Sequence, residues 1–284
     1  MRAYVIRRLL LAIPTLLGVA AVTVLMTHAL HGFEQTIMMC GLCPSFEEQI
    51  RWYEEHGFNK PLYVQYFDRL LSTLTLDFGK SFIYDVDVTD LLARKGPLSL
   101  QVGLMGLIIG SVLGISGGVI TALKQDSLYD YLIRGLAILG ISVPTFWSGM
   151  MLILILVRAF NWIPEQGYTP LWEDPLANLT QLIWPALIIG LGFLMGASLR
   201  LMRASLLEVM REDYIRTARA KGLQERVIIV RHAMRNALIP VLTLIGTFLP
   251  ITLTGLVVTE QVFGLPGVGS MLLDALRTLS LIHI

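Results

Sequence analysis

"EDYIRTARAKGLQERVIIVRHAMRNALIP", residues 212–240, sets six basic side chains into a chain that is otherwise oily: Arg216, Arg219, Lys221, Arg226, Arg231 and Arg235. Hydrophobic residues make up 55% of the 284 and charged residues 15%, against about 25% charged in soluble domains. The mean hydropathy is +0.67. Leu207, Met210, Tyr214 and Ala218 follow helical spacing, while Arg211, Arg216 and Arg219 fall elsewhere on the wheel. Lys221-Gly222-Leu223 then reads as a helix stop. Basic groups oppose the dipole at the last carbonyls, the glycine permits a left-handed turn, and the apolar residue beyond it closes the contact. A second helix is expected from about Glu225, re-entering an apolar run at Ala237. The pattern predicts a short helical elbow between two membrane spans.

Outward from the elbow, five uncharged runs stand out, at 9–30, 98–123, 135–157, 182–199 and 237–259. Each is near or above the roughly 18–20 residues a helix needs to cross a bilayer, and backbone polar groups in lipid must pair within the helix. The first run follows Arg2, Arg7 and Arg8 but is too long for the core of a secretory signal, so it reads as a retained anchor. With the N-terminus in the cytoplasm, segments 1–8, 124–134 and 200–236 lie inside. They hold 14 of the 22 basic residues and 6 of the 21 acidic ones. That bias places the elbow on the cytoplasmic side. The net charge of +1 says nothing about partners.

The outer segment 31–97 contains "SFEE" from Ser45, with the spacing of a capping box. A helix should follow and stop at Gly57, and a second should open at Pro61. Cys40 and Cys43 form a lone CxxC. An incidental pair is favoured, a strained disulfide comes next, and a metal site is least supported, with only His31 and His56 in reach. In the second run Gly106, Gly110, Gly114 and Gly118 recur every four residues, lining one helix face so that another backbone can approach closely. Pro14, Pro144, Pro185, Pro240 and Pro250 interrupt or begin runs and favour kinks there.

Apart from His28 near one end, no run contains an ionisable side chain. Ion-coupled carriers keep such a group at membrane depth. The sequence has no HExxH, no GxSxG and no glycine-rich GK[ST] phosphate loop. The expectation is therefore that any chemistry and the energy source lie on another chain. A secondary carrier, a membrane enzyme and a purely structural anchor are the rivals. The first lacks a convincing intramembrane charge, the second a catalytic set, and the third any need for the elbow.

"REDYIRTARAKG" with "RHAMRNALIP" resembles the coupling loop of permease subunits of binding-protein-dependent ATP-binding cassette importers, nearest the dipeptide/oligopeptide branch. That loop carries a Glu-Ala-Ala motif before its glycine. Aligned on Gly222, the triplet here is Arg216-Thr217-Ala218, similar to the peptide branch. The motif's downstream proline position is Arg235 here, and the nearest proline is Pro240. "MRAYVIRRLLLAIPTLLGV", "FNKPLYVQYFDRL", "LDFGKSF", "SVPTFWSG" and "TEQVFGLPGVG" resemble further stretches of the same branch, in order along nearly the whole chain.

The resemblance implies an all-α, polytopic type I importer transmembrane domain, with five spanning helices of an expected six. Residues 1–97 would be an anchor helix and extracytoplasmic segment, and 98–284 the transmembrane domain, with a coupling loop at about 205–236. The chain stops at "RTLSLIHI", which is expected to mark a truncated product. Implied partners are a second permease, two ATPase subunits, an extracytoplasmic binding protein, a peptide and membrane lipid, with no nucleic acid, metal or cofactor. Nickel chelates, glutathione and oligosaccharides are alternative substrates. The implied ATPase contact is Leu207, Met210, Asp213, Tyr214, Arg216, Thr217, Ala218, Ala220, Lys221 and Gly222. Leu207, Met210 and Tyr214 would enter the ATPase groove, with the arginines at its rim. The location implied is a bacterial or archaeal cell membrane.

Overall fold

Long apolar stretches with few breakers leave the backbone no partner but itself, and helices are the outcome. The computed structural model describes residues 2–30, 45–55, 57–81, 86–165 and 167–277. The CxxC pair, His31 and His56 lie outside these residues. Two units are formed, one of Met1–Arg94 with Met271–Ile284, the other of Lys95–Ser270. No strand occurs among the described residues, apart from a single bridge between Lys80 and Asp87.

In the first unit, α1 (Arg2–Leu30) contains the apolar span Ile6–Leu25, with mean hydropathy 2.1. Helix α2 (Phe46–Glu55) begins where the Ser45 hydroxyl accepts the Glu48 amide at 3.3 Å. Gly57 follows α2 with φ 73°, a conformation that suits a residue without Cβ. Helix α3 (Leu62–Leu74) starts after Pro61, whose fixed φ of −56° favours helix entry. Tyr66 on α3 donates to the Leu17 carbonyl of α1 at 3.3 Å.

Helix α4 (Val88–Leu123) continues into the second unit. Helices α5 (Leu128–Ser142) and α6 (Thr145–Phe160) occupy the stretch expected as one span, but they meet at a 107° bend. The cause is local. Pro144 disfavours helical backbone at Val143, which is extended at φ −90°, ψ 126°. Helix α7 (Pro175–Ile189) is capped by Asp174, whose carboxylate accepts the Leu176 and Ala177 amides at 3.0 Å each. A π-helical turn, Gly190–Leu194, joins α7 to α8 (Met195–Val209), with Gly192 out of helical geometry at ψ −133°.

After α8 come α9 (Asp213–Ala220), the single turn α10 (Glu225–Val227), a second π-helical turn Ile228–Ala233, and α11 (Met234–Phe263). Helix α12 (Val268–Arg277) follows the "GLPG" turn. Among the described residues, four helices are long and apolar enough to span a membrane, or up to six spans result if each of two bent helix pairs counts as one. This is an all-α, polytopic membrane fold.

Two apolar clusters hold the second unit together. One gathers Leu98, Val102, Leu182, Leu256 and Phe263. The other gathers Met202, Leu206, Ile215, Ile228, Ala237 and Val241 beneath the elbow.

Candidate functional site

The elbow is built by two breaks. After α8, residues 210–212 turn without proline or glycine, and Glu212 adopts an extended conformation at φ −66°, ψ 148°. Leu207, Met210, Tyr214 and Ala218 therefore do not share one helix face, as continuous spacing had suggested. Leu207 and Met210 are half-buried against the chain's own core, and Ala218 is buried within it. The inward face of α9 is Ile215 and Ala218, packed with Ile228 and Ala233 of the π-helical turn. Ile215, fully buried, carries no charge or breaker that would have singled it out in the sequence.

The outward face carries Asp213, Arg216, Thr217, Ala220, Lys221 and Tyr214, all exposed. Tyr214 is tethered all the same, because Asn236 donates to its hydroxyl oxygen at 2.7 Å. Asp213 pairs with Arg216 one turn on, at 3.3 Å. Helix α9 ends in a Schellman arrangement. The Leu223 amide donates to the Ala218 carbonyl at 3.4 Å and the Gly222 amide to that of Arg219 at 2.9 Å. Gly222 has φ 76°. Across the turn Arg219 makes a two-pronged contact with Glu225, at 2.7 and 3.2 Å. That hydrogen bond, aided by the charge of Glu225, raises the Arg219 pKa above its ordinary value. The turn is stapled from both sides.

The glycines of α4 face the α7–α8 pair. A Cβ added at Gly106 would lie 2.7 Å from Ile189, and one at Gly110 would lie 2.6 Å from the Gly190 carbonyl oxygen. At Gly114 and Gly118 the obstacles are Ser198 and Met202, each at 2.6 Å. Helix backbones approach here at distances only glycine permits.

Two charged clusters escaped local pattern reading. Asp130, fully buried, holds Arg203 at 3.1 Å and Arg134 at 3.1 Å. Glu260, also fully buried, accepts the Ser99 hydroxyl at 2.5 Å and the Ser270 amide at 2.8 Å. Gly267 packs so closely on the Glu260 carboxylate that any Cβ there would collide with it. Ser99 and Arg203 lie far from their partners in sequence. The weak signals available were a carboxylate just past the last apolar run and the three glycines of "GLPGVGS".

A many-helix membrane fold with a glycine-stopped, basic elbow between two long apolar helices defines a transport-type membrane component. The chain belongs to the family of binding-protein-dependent transport system inner membrane components, which matches residues 114–281. Over 278 residues it is 38% identical to a peptide transport system permease protein of Brucella suis, covering 97% of this chain and 87% of that protein. It is 34% identical, with the same coverages, to the oligopeptide transport system permease protein AppB of Bacillus subtilis. The dipeptide transport system permease protein DppB of Escherichia coli is 33% identical, over 98% of this chain and 88% of its own length. The fold is accordingly that of a type I importer transmembrane domain.

Proposed function

We propose that this chain forms the membrane pathway of an ATP-driven importer for peptides handed over by an extracytoplasmic binding protein, with its N-terminus in the cytoplasm. The peptide assignment is supported by the names of its relatives. The observation that carries the mechanism is the geometry of α9. An eight-residue helix, seated by Ile215 and Ala218 and stopped at Gly222, presents Asp213, Tyr214, Arg216, Thr217, Ala220 and Lys221 outward. Such a helix fits a groove on an ATPase subunit, with Leu207, Met210 and Ala218 seating it from behind. Two ATPase subunits closing on ATP would push α9, which is fixed to the start of α11. A second permease would complete the pathway, and whole helix groups would then alternate between inward- and outward-facing arrangements. No bond is broken by this chain, and ATP hydrolysis belongs to its partner. Residues 1–97 would serve as anchor and outer segment, and 98–284 as the pathway domain.

The test is site-specific photocrosslinking in membranes of cells that also express the neighbouring ATPase and binding protein. A photoreactive residue at Thr217 should capture the ATPase, and one at Gly167 should not. Labelled peptide uptake should depend on all components. Capture of the ATPase at Gly167 instead would overturn the orientation, and uptake unaffected by loss of this chain would overturn the assignment.

A further inference from the structure

Between α5 and α8 lies a cavity of about 530 Å3 whose walls change character along its length. At one end stand Arg134, Arg200 and Arg203, and at the other Ile138, Ile141 and Leu199. The order follows from helical spacing. Arg134, Ile138 and Ile141 share one face of α5, and Leu199 and Arg203 share one face of α8. The charged end belongs to the segments 124–134 and 200–236, the basic side of the chain, and the apolar end to the runs 135–157 and 182–199.

The charge balance is uneven. Asp130 serves both Arg134 and Arg203 with one carboxylate, so three guanidinium groups facing one anion leave two positive charges at the mouth. Arg200 is exposed. Guanidinium groups bind phosphate oxygens with paired N–H donors. Basic pockets between spanning helices on the cytoplasmic side suit anionic lipid headgroups.

We propose that this cavity is a binding site for an anionic phospholipid, with the headgroup phosphate on Arg134 and Arg200 and an acyl chain along Ile138 and Ile141. The apolar half selects a lipid over a free anion, which would leave it uncovered. The surplus charge selects an anionic over a zwitterionic headgroup. Arg203 also borders a second cavity, of about 560 Å3, that reaches Glu212 and Asp213. The bound lipid would therefore sit beside the entrance to α9. The inference rests on the membrane-component reading and not on peptide import, so failure of one leaves the other standing.

The experiment is native mass spectrometry of the full chain in detergent with equal phosphatidylglycerol and phosphatidylcholine of matched acyl chains. The wild type should retain phosphatidylglycerol preferentially. Arg200→Gln, which leaves the Asp130 pairs intact, should lower that preference about fivefold, and Arg134→Gln/Arg200→Gln about 30-fold. Arg226→Gln removes the same charge from the same side outside the cavity and should change nothing. Unchanged preference in the double variant, or an equal loss in Arg226→Gln, overturns the site. Displacement of the lipid by millimolar inorganic phosphate would make it a soluble-anion site and overturns the lipid assignment.

Discussion

Replacing Gly110 by alanine tests whether the glycines of α4 set the distance between helices. The new Cβ would lie 2.6 Å from the Gly190 carbonyl oxygen and 3.1 Å from the Gly190 Cα, where ordinary contact begins at 3.4 Å. The helices must separate by about 0.8 Å, the difference between 3.4 and 2.6 Å, because both obstacles are backbone and cannot rotate away. Overpacking of this kind costs about 1–3 kcal/mol. Alanine's better helix propensity returns about 1 kcal/mol, leaving a net loss of up to about 2 kcal/mol. Gly246 in α11 is the control, since a Cβ there meets nothing within 4 Å. Gly246→Ala keeps the propensity gain without the clash, so the two variants should shift stability in opposite directions. Thermal unfolding of the purified chain in detergent, read by fluorescence size-exclusion chromatography, gives the comparison. If Gly110→Ala melts as high as Gly246→Ala, the close approach is not what holds these helices together.

Gly222→Val forces a β-branched residue to φ 76° in otherwise open space, so the cost is backbone strain alone, about 1–2 kcal/mol; uptake should fall while ATP hydrolysis persists, and normal coupling would refute the turn's role. Asp130→Asn leaves Arg134 and Arg203 without their shared anion and should cost about 1–3 kcal/mol, an unchanged melting temperature arguing against the cluster. Glu260→Ala orphans the Ser99 hydroxyl and the Ser270 amide for about 1–3 kcal/mol, with Glu260→Gln milder because an acceptor survives; equal melting of the two would show that the hydrogen bonds are idle. Ile215→Ala should destabilise by about 2–5 kcal/mol and impair uptake, whereas Arg219→Ala, which breaks an exposed, solvent-screened ion pair, should leave the melting temperature nearly unchanged. The reverse order in uptake would mean that charge, not seating, positions α9.

Local features were legible and long-range ones were not. Gly222 between two helical stretches announces its own turn, because a left-handed stop depends on three adjacent residues. The apolar runs likewise announce helices, since lipid allows little else. The break at residues 210–212 has no glycine or proline, so the periodic stripe through Leu207, Met210, Tyr214 and Ala218 ran on in the sequence where the backbone turns. Pro144 was visible as a disruption, but whether it kinks a span or folds it by 107° depends on what α5 and α6 pack against. The π-helical turn at Gly190–Leu194 lies where Gly190 meets Gly110 of α4, a contact across the fold that no local spacing announces. Asp130 with Arg203 and Glu260 with Ser99 are pairings across the fold, and no local spacing encodes them.

These placements bear on what the elbow can transmit. A glycine between two helices suggests a hinge, yet the turn at Gly222 is closed by two backbone hydrogen bonds and bridged by Arg219 and Glu225. Ile215 and Ala218 pack with Ile228 and Ala233, and Asn236 at the start of α11 holds Tyr214. Rotation about Gly222 would have to open that apolar contact, so α9 is expected to move with the ends of α8 and α11 and not against them. Helix α8 and the π-helical turn that precedes it pack on the glycines of α4, where only glycine backbones fit. A displacement applied to α9 therefore meets rigid contacts as far as α4. Under the importer reading, Gly222 is a shape-setting residue in a stiff lever.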